Sequence, residues 1–250
     1  MSSFGLWDSL YIVSVAALAL GAVCLRPPES KALVFNLPIP FSLSFLAVGR
    51  PVDSSNVAAL LLLLGYTRGI KLLHCGLRLP IVPAIGLSAL GYSLAGAALA
   101  RALPEAPGLF WGILLITFII GVILYIRHPG RAEQAQCRTL PWFVRVPVVF
   151  AVSLGLISIK GLLEGFLTVF PVVGMIVAYE TQQNLEIICR QTPVIILTVT
   201  PMLMAMRLAQ ARGSSGFALA CGWLVFLLVF IPLIYYDFHK NAAKEANVKK

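Results

Sequence analysis

FLTVFPVVGMIVAYETQQNLEIICR, Phe166 to Arg190, starts as a membrane helix and does not finish as one. Crossing a hydrocarbon core takes about 20 helical residues, but Pro171 interrupts this run and Glu180 ends it early. Proline removes a backbone donor and clashes with the preceding turn. At membrane depth the freed backbone groups are tolerated only inside protein or beside a water-filled cavity. The interruption is therefore either an ordinary kink or a discontinuity built around a site.

The surrounding composition shows the solvent. Of 250 residues 59% are hydrophobic and 12% charged, with a mean hydropathy of +0.92. A soluble domain carries about twice that charge fraction. Nine apolar segments lie near 8–25, 33–49, 56–74, 79–100, 107–126, 144–162, 165–179, 191–209 and 215–236. The expected fold class is all-α, a polytopic helical membrane protein with about nine transmembrane segments. The roughly ten-residue alternation of a membrane barrel does not occur. Asp8 precedes the first apolar run where a cleaved signal peptide would be positive, so that run reads as a retained helix.

The net charge of +9 sets orientation and does not indicate nucleic acid. With the amino terminus outside and the carboxyl terminus cytoplasmic, only Arg50, Arg101, Lys160, Arg207 and Arg212 of the 19 basic residues fall outside or near outer helix ends. The resulting organisation is a first membrane half plus linker helix over 1–126, a basic cytoplasmic loop over 127–145, a second membrane half over 146–236 and a basic cytoplasmic tail over 237–250. The five cysteines and three histidines are scattered without ligand spacing, so neither a disulfide framework, a metal site nor a cofactor is expected.

A second short run, NLPIPFSLSFLAVGRP, Asn36 to Pro51, is broken by proline at the matching place in the first half. The two halves are compared as a 4+1+4 inverted repeat, although their residues match poorly. Paired short, proline-interrupted segments mark the binding site of secondary transporters. Proline-kinked membrane helices also occur with no transport role, and that reading stands beside the first.

The candidate site residues flank these breaks. Asn36, Arg50 and Asp53 border the first, and Pro171 opens the second. Lys160 and Glu164 stand four apart, as a self-neutralising pair on one helical face or as a coupling carboxylate balanced by a lysine. Glu180 and Glu186, with Arg190 four residues beyond Glu186, form either a solvated cluster or a cytoplasmic rim. In the eighth segment Thr198 and Thr200 are expected to satisfy carbonyls released at Pro201, and Arg207 either snorkels to the interface or meets an anionic substrate. Gly91, Ala95 and Ala98 form a small-residue face suited to close helix packing. No hydrolase, zincin, nucleotide-binding or Rossmann pattern occurs.

The run FPVVGMIVAY, Phe170 to Tyr179, with Pro201 in the next span, resembles the small GlpM-like bacterial inner-membrane proteins. The likeness covers about 70 residues of the second half and implies an inner-membrane location without a mechanism.

The leading expectation is a small secondary transporter or permease for a small organic anion or zwitterion, proton-coupled through Glu164. Its partners would be the lipid bilayer and a small-molecule substrate. The alternative is a non-catalytic integral membrane subunit or assembly factor that packs against partner membrane subunits. A membrane enzyme acting on a lipid-like substrate comes third, without a nucleophile to support it.

Overall fold

Helices form over the apolar segments, and polar residues, glycine and proline set where they stop. The computed structural model describes residues 5–24, 37–104, 106–127 and 142–248, and no strand occurs among them. The helices are α1 (Leu6–Cys24), α2 (Ile39–Val48), α3 (Ser54–Lys71), α4 (Ile81–Ala102), α5 (Pro107–Arg127), α6 (Trp142–Ser158), α7 (Val172–Glu180), α8 (Glu186–Gln210) and α9 (Ser215–Val248). A single turn, Lys160–Leu163, and a 3₁₀ helix, Glu164–Val169, lie between α6 and α7.

Among the described residues five spans are long and apolar enough to cross a membrane: α3 with its π-helical end through Gly76, then α4, α5, α8 and the Ser215–Tyr236 part of α9. α6 and the piece after it, bent by 66°, make a sixth if taken together. The chain is an all-helical multi-pass membrane protein. Two sequence boundaries shift: α9 continues as helix to Val248 through most of the expected tail, and α6 begins at Trp142, inside the expected loop. Asn36 and residues 128–141 of that loop lie outside the described residues.

Local chemistry explains the two short helices. α2 starts with Pro38 as N-cap and Pro40 in its first turn, where no N–H is needed, and ends on Gly49 at φ 67. α3 then begins with a capping box: Asp53 accepts from the N–H groups of Ser55 and Asn56, and the Asn56 side chain accepts from Asp53 N–H. α7 starts after Pro171 and ends at Glu180, and α8 begins at Glu186 after the break 181–185. α8 is central and packs on α9, α5 and α3, while α3 also meets α4 and α1 lies between α2 and α6. One apolar core gathers Tyr11, Tyr66, Tyr92 and Phe166; a second gathers Phe41, Phe110, Met202 and Phe226. The outward faces of α4 and α9 show Leu90, Leu94, Leu224 and Leu228, as a lipid-facing surface should.

Two expectations change. Among the described residues no neighbouring helix packs closely on the Gly91, Ala95 and Ala98 face: a Cβ on Gly91 would meet nothing within 4 Å. The close approach falls at Gly96, whose Cβ would stand 3.2 Å from Phe166. Nor do Lys160 and Glu164 share a helical face. The helix breaks between them, with Glu164 at φ 49 and ψ −127, so the four-residue spacing no longer brings them together. Such a conformation is unfavourable for a residue with a Cβ. Beside it, Gly165 lies so close to α3 that a Cβ there would sit 2.0 Å from Ser55 Oγ.

That approach yields a test. Gly165→Ala should destabilise the detergent-solubilised protein by about 1–3 kcal/mol, the usual cost of overpacking, read as a lowered unfolding midpoint. Gly91→Ala, in open space, should leave the midpoint in place.

Candidate functional site

The segment 164–169 exposes backbone groups that a regular helix would have paired, and buried side chains answer them. Asn56 Nδ2 donates to Thr168 Oγ1 at 3.0 Å and to Gly165 O at 3.3 Å. Thr168 Oγ1 donates to Gly165 O at 2.6 Å, and Tyr92 OH to Phe166 O at 2.9 Å. Asn56 and Tyr92 are buried, so these bonds form where water cannot substitute. The other break, 49–53, is held from α8: Arg207 Nη1 donates to Val52 O at 2.6 Å, and Val52 N–H to Gln210 Oε1 at 3.0 Å. Trp223 of α9 donates to Ser42 Oγ of α2 at 2.8 Å.

Between the two short helices lies a cavity of about 140 Å³. Pro38 and Phe41 reach it from the start of α2, and Pro171 and Gly174 from the start of α7; Tyr66 and Thr192 line it from α3 and α8. The two N-cap prolines adopt nearly the same conformation, φ −79, ψ 38 at Pro38 and φ −81, ψ 51 at Pro171. The first intrahelical bonds run from Ser42 N–H to Pro38 O and from Met175 N–H to Pro171 O. The N–H groups of Ile39, Phe41, Val173 and Gly174 therefore precede the helical ladders, at the positive ends of both helices. None of the described residues lining the cavity is charged. Tyr66 is 3% exposed and its hydroxyl has no hydrogen-bond partner among the described residues. Thr192 Oγ1 contacts Thr67 Oγ1 at 3.2 Å and donates to Ile188 O at 3.0 Å, joining α8 to α3.

Charges stand at the two ends of α3, away from the lining. Near its start, Arg50 pairs with Glu164 across the break. Lys160 pairs with Asp8 of α1, Nζ lying 2.9 and 2.7 Å from the two carboxylate oxygens, with side chains only 14% and 2% exposed. Asp8 also accepts from Gly5 N–H at 2.9 Å. At the other end Lys71 pairs with Glu186, which also faces Arg190 at 3.7 Å.

Of the residues singled out in the sequence, Pro171 lines the cavity, and Arg50 and Glu164 meet near one end of it. Lys160 takes Asp8 as its partner because the helix break turns it away from Glu164. Glu180 is buried at the end of α7, and Arg190 faces Glu186 as the helical spacing predicts. Arg207 neither lines the cavity nor snorkels freely; it binds the Val52 carbonyl and lies 5.6 Å from the Phe110 ring centre. Thr198 donates to Val194 O and Ile195 O, one turn before the carbonyl of Leu197 that Pro201 leaves without a donor. Thr200 Oγ1 is buried with no partner among the described residues, so neither threonine satisfies the kink as expected. Asn36 precedes the described Leu37, which lines the cavity.

Sequence reasoning missed Tyr66, Thr67, Asn56 and Asp8. Tyr66 and Thr67 sit in GYTRGIK, Gly65 to Lys71, where only the basic charges stand out. The signal for Asn56 was DSSN, Asp53 to Asn56, a capping box directly after a proline-broken segment.

Together these features define a class: an all-helical multi-pass membrane protein in which two proline-started half-helices open on one cavity without charged side chains among its described lining residues. Compared with known proteins, the chain matches no protein family, no curated protein and no solved structure.

The two ion pairs near the start of α3 should differ in weight. Lys160→Met leaves the Asp8 carboxylate buried and uncompensated, which typically costs about 3–5 kcal/mol, whereas Arg50→Met removes a half-exposed partner whose pairing is worth about 0–1 kcal/mol. A double-mutant cycle on unfolding, with Asp8→Leu as the second substitution, should show strong coupling for Lys160 with Asp8. The same cycle for Arg50 with Glu164 should show little.

Proposed function

We propose that the chain is a small secondary transporter or permease for a small organic anion or zwitterion, with its site at the cavity between α2, α3, α7 and α8. The observation that carries this is the meeting of two half-helix N-termini, both started by proline, at one cavity inside the helix bundle. Transporters build their sites from such discontinuous helices because a half-helix end offers unpaired donors and a fixed partial charge at mid-membrane depth.

The proposal includes nine segments arranged as an inverted repeat. In its favour, each half has a proline-capped short helix, a break (49–53 and 181–185) and then a long helix, α3 or α8. α3 packs on α4 as α8 packs on α9, and the first helices of the two halves, α1 and α6, pack on each other. The proposed orientation, amino terminus outside and carboxyl terminus cytoplasmic, draws on the grouping of Lys71, Glu186 and Arg190 at one end of α3, opposite Arg50 and Lys160. A bacterial inner-membrane location rests on the resemblance of Phe170–Tyr179 to GlpM-like proteins. Glu164 keeps the role of coupling carboxylate, with Arg50 as its balancing charge in place of Lys160.

A second reading, a membrane subunit, is favoured by the outward face at Gly91 and Ala98, which is exposed among the described residues and is suited to another helix. Purification with a stoichiometric membrane partner and no uptake of any cargo would select it.

Uptake into proteoliposomes tests the transporter, using a cargo first found by thermal-shift screening of small anions and zwitterions. Val173→Trp, which fills the cavity at the first turn of α7, should lower uptake at least ten-fold, while Leu224→Trp on the outer face of α9 should leave it unchanged. Retained uptake in Val173→Trp would remove the cavity from the route. Glu164→Gln should keep the protein folded and abolish the pH dependence of uptake; an unaltered pH profile would remove Glu164 from coupling.

A further inference from the structure

We infer that the first stretch of α8, Glu186 to Thr192, is the gate of the cavity, hinged at Pro193 and held shut against α3 by the Lys71–Glu186 ion pair. This rests on the transporter reading and assigns the gating residues of its route.

Position comes first. α3 and α8 run antiparallel, with Val52 beside Arg207 at one end and Lys71 beside Glu186 at the other. The cavity does not lie midway between those ends. Leu63, Tyr66 and Thr67 line it from α3, and its lining on α8 begins at Ile188. From Thr67 on to Lys71 is about 6 Å along the helix axis, whereas from Leu63 back to Ser54 is about 14 Å. The longer way is filled by Val57 and Leu60, both buried, and crossed by the bond from Asn56 to Thr168. The shorter way is a seam closed in two layers. Thr67 with Cys189 and Thr192 makes the inner one, and Lys71 with Glu186 the outer. The outer layer meets water, its side chains being 40% and 26% exposed, while all three residues of the inner layer are buried.

Freedom to move comes second. The stretch Glu186 to Thr192 is set off on both sides. Before it, the break 181–185 separates it from α7. After it, Pro193 lies inside α8 and has no N–H to give the Cys189 carbonyl. Helices bend sharply at such prolines. Its polar ties to α3 are the ion pair, a contact of 3.7 Å from the Cys189 thiol to Thr67 O, and a bond of 3.2 Å from Thr192 Oγ1 to Thr67 Oγ1. Partly exposed ion pairs and thiol donors are weak. The contact of Glu186 with Arg190, at 3.7 Å, lies within the stretch and moves with it. Beyond Pro193, by contrast, Ile196, Met202 and Leu203 anchor α8 in the second core. A swing about Pro193 parts both layers of the seam and leaves the rest of the helix in place.

Cys189 is buried in the inner layer and reports on the seam. The test is N-ethylmaleimide labelling of the full chain in detergent, followed at Cys189 by mass spectrometry, with the exposed Cys75 as reference thiol. Labelling of Cys189 should be slow in the native protein. It should be about three- to five-fold faster in Lys71→Met and in Glu186→Gln, the factor that an exposed ion pair contributes. Lys71→Arg, which keeps the charge, should stay slow. Charge alone gives a different pattern. A positive neighbour favours the reactive thiolate and a negative one disfavours it, so without opening Glu186→Gln would speed labelling and Lys71→Met would slow it. Pro193→Ala returns a donor to the Cys189 carbonyl and should cancel most of the gain in either variant. Arg50→Met, at the far end of α3, should change nothing.

Slow labelling in Lys71→Met would overturn the gate, as would a gain that survives Pro193→Ala undiminished. So would an equal gain in Arg50→Met, or a gain matched by a fall in the unfolding midpoint, since either is general loosening. Labelling needs no cargo and therefore judges the gate apart from the transporter. Release of Cys189 in a protein that takes up none of the screened anions and zwitterions keeps the gate and sinks the transporter. Uptake together with unaltered Cys189 labelling in both variants sinks the gate and keeps the transporter.

Discussion

Asn56 sits where two problems of a broken membrane helix are solved by one side chain. Its oxygen closes the capping box that starts α3, and its nitrogen satisfies Thr168 and the carbonyl of Gly165 in the 3₁₀ segment. Gly165 O also accepts from Thr168 Oγ1, and Phe166 O from Tyr92, so what Asn56 adds is the tie that fixes Thr168 and the unwound segment to α3. Gly165 allows the approach, Glu164 takes an unfavourable backbone angle beside it, and Tyr92 completes the pairing. The start of α7, and with it one wall of the cavity, depends on that docking.

Most of the helices were legible because apolar runs of the length of a bilayer leave little choice. Pro38 and Pro171 were equally plain, since proline removes a donor wherever it stands. The partners of the charges were less so. Lys160 and Glu164 have the spacing of a helical pair, and nothing local announces that the helix ends between them; beside that break Gly165 is pressed on Ser55, a contact between residues more than a hundred positions apart. Asp8 was read for what it says about signal peptides, yet its importance lies in burial beside Lys160. Tyr66 could not be singled out by pattern, because what marks it is a buried hydroxyl with no partner among the described residues. Arg207 shows the same limit, since a backbone carbonyl such as that of Val52 carries no mark in the sequence.

The cavity and the charges divide the work. Charged pairs stand at the ends of α3, where at least one partner of the Arg50 and Lys71 pairs is substantially exposed, and the space between is lined by apolar groups, hydroxyls, the Gln191 amide and helix ends. Fixed backbone dipoles act there without the desolvation cost that a buried guanidinium or ammonium would bring.

The tie from Trp223 to Ser42 has a mechanical consequence. It fastens α2, a piece of the first half, to α9, the last helix of the second, and Arg207 and Gln210 fasten the break after α2 to α8. In the same way the 3₁₀ segment of the second half is bonded to α3 and α4 of the first. The halves of the sequence are therefore not the rigid bodies of the molecule. Separating them would cut both sets of bonds, so any rocking that opens the cavity would carry each short helix with the half to which it is tied, across the boundary that the chain order draws.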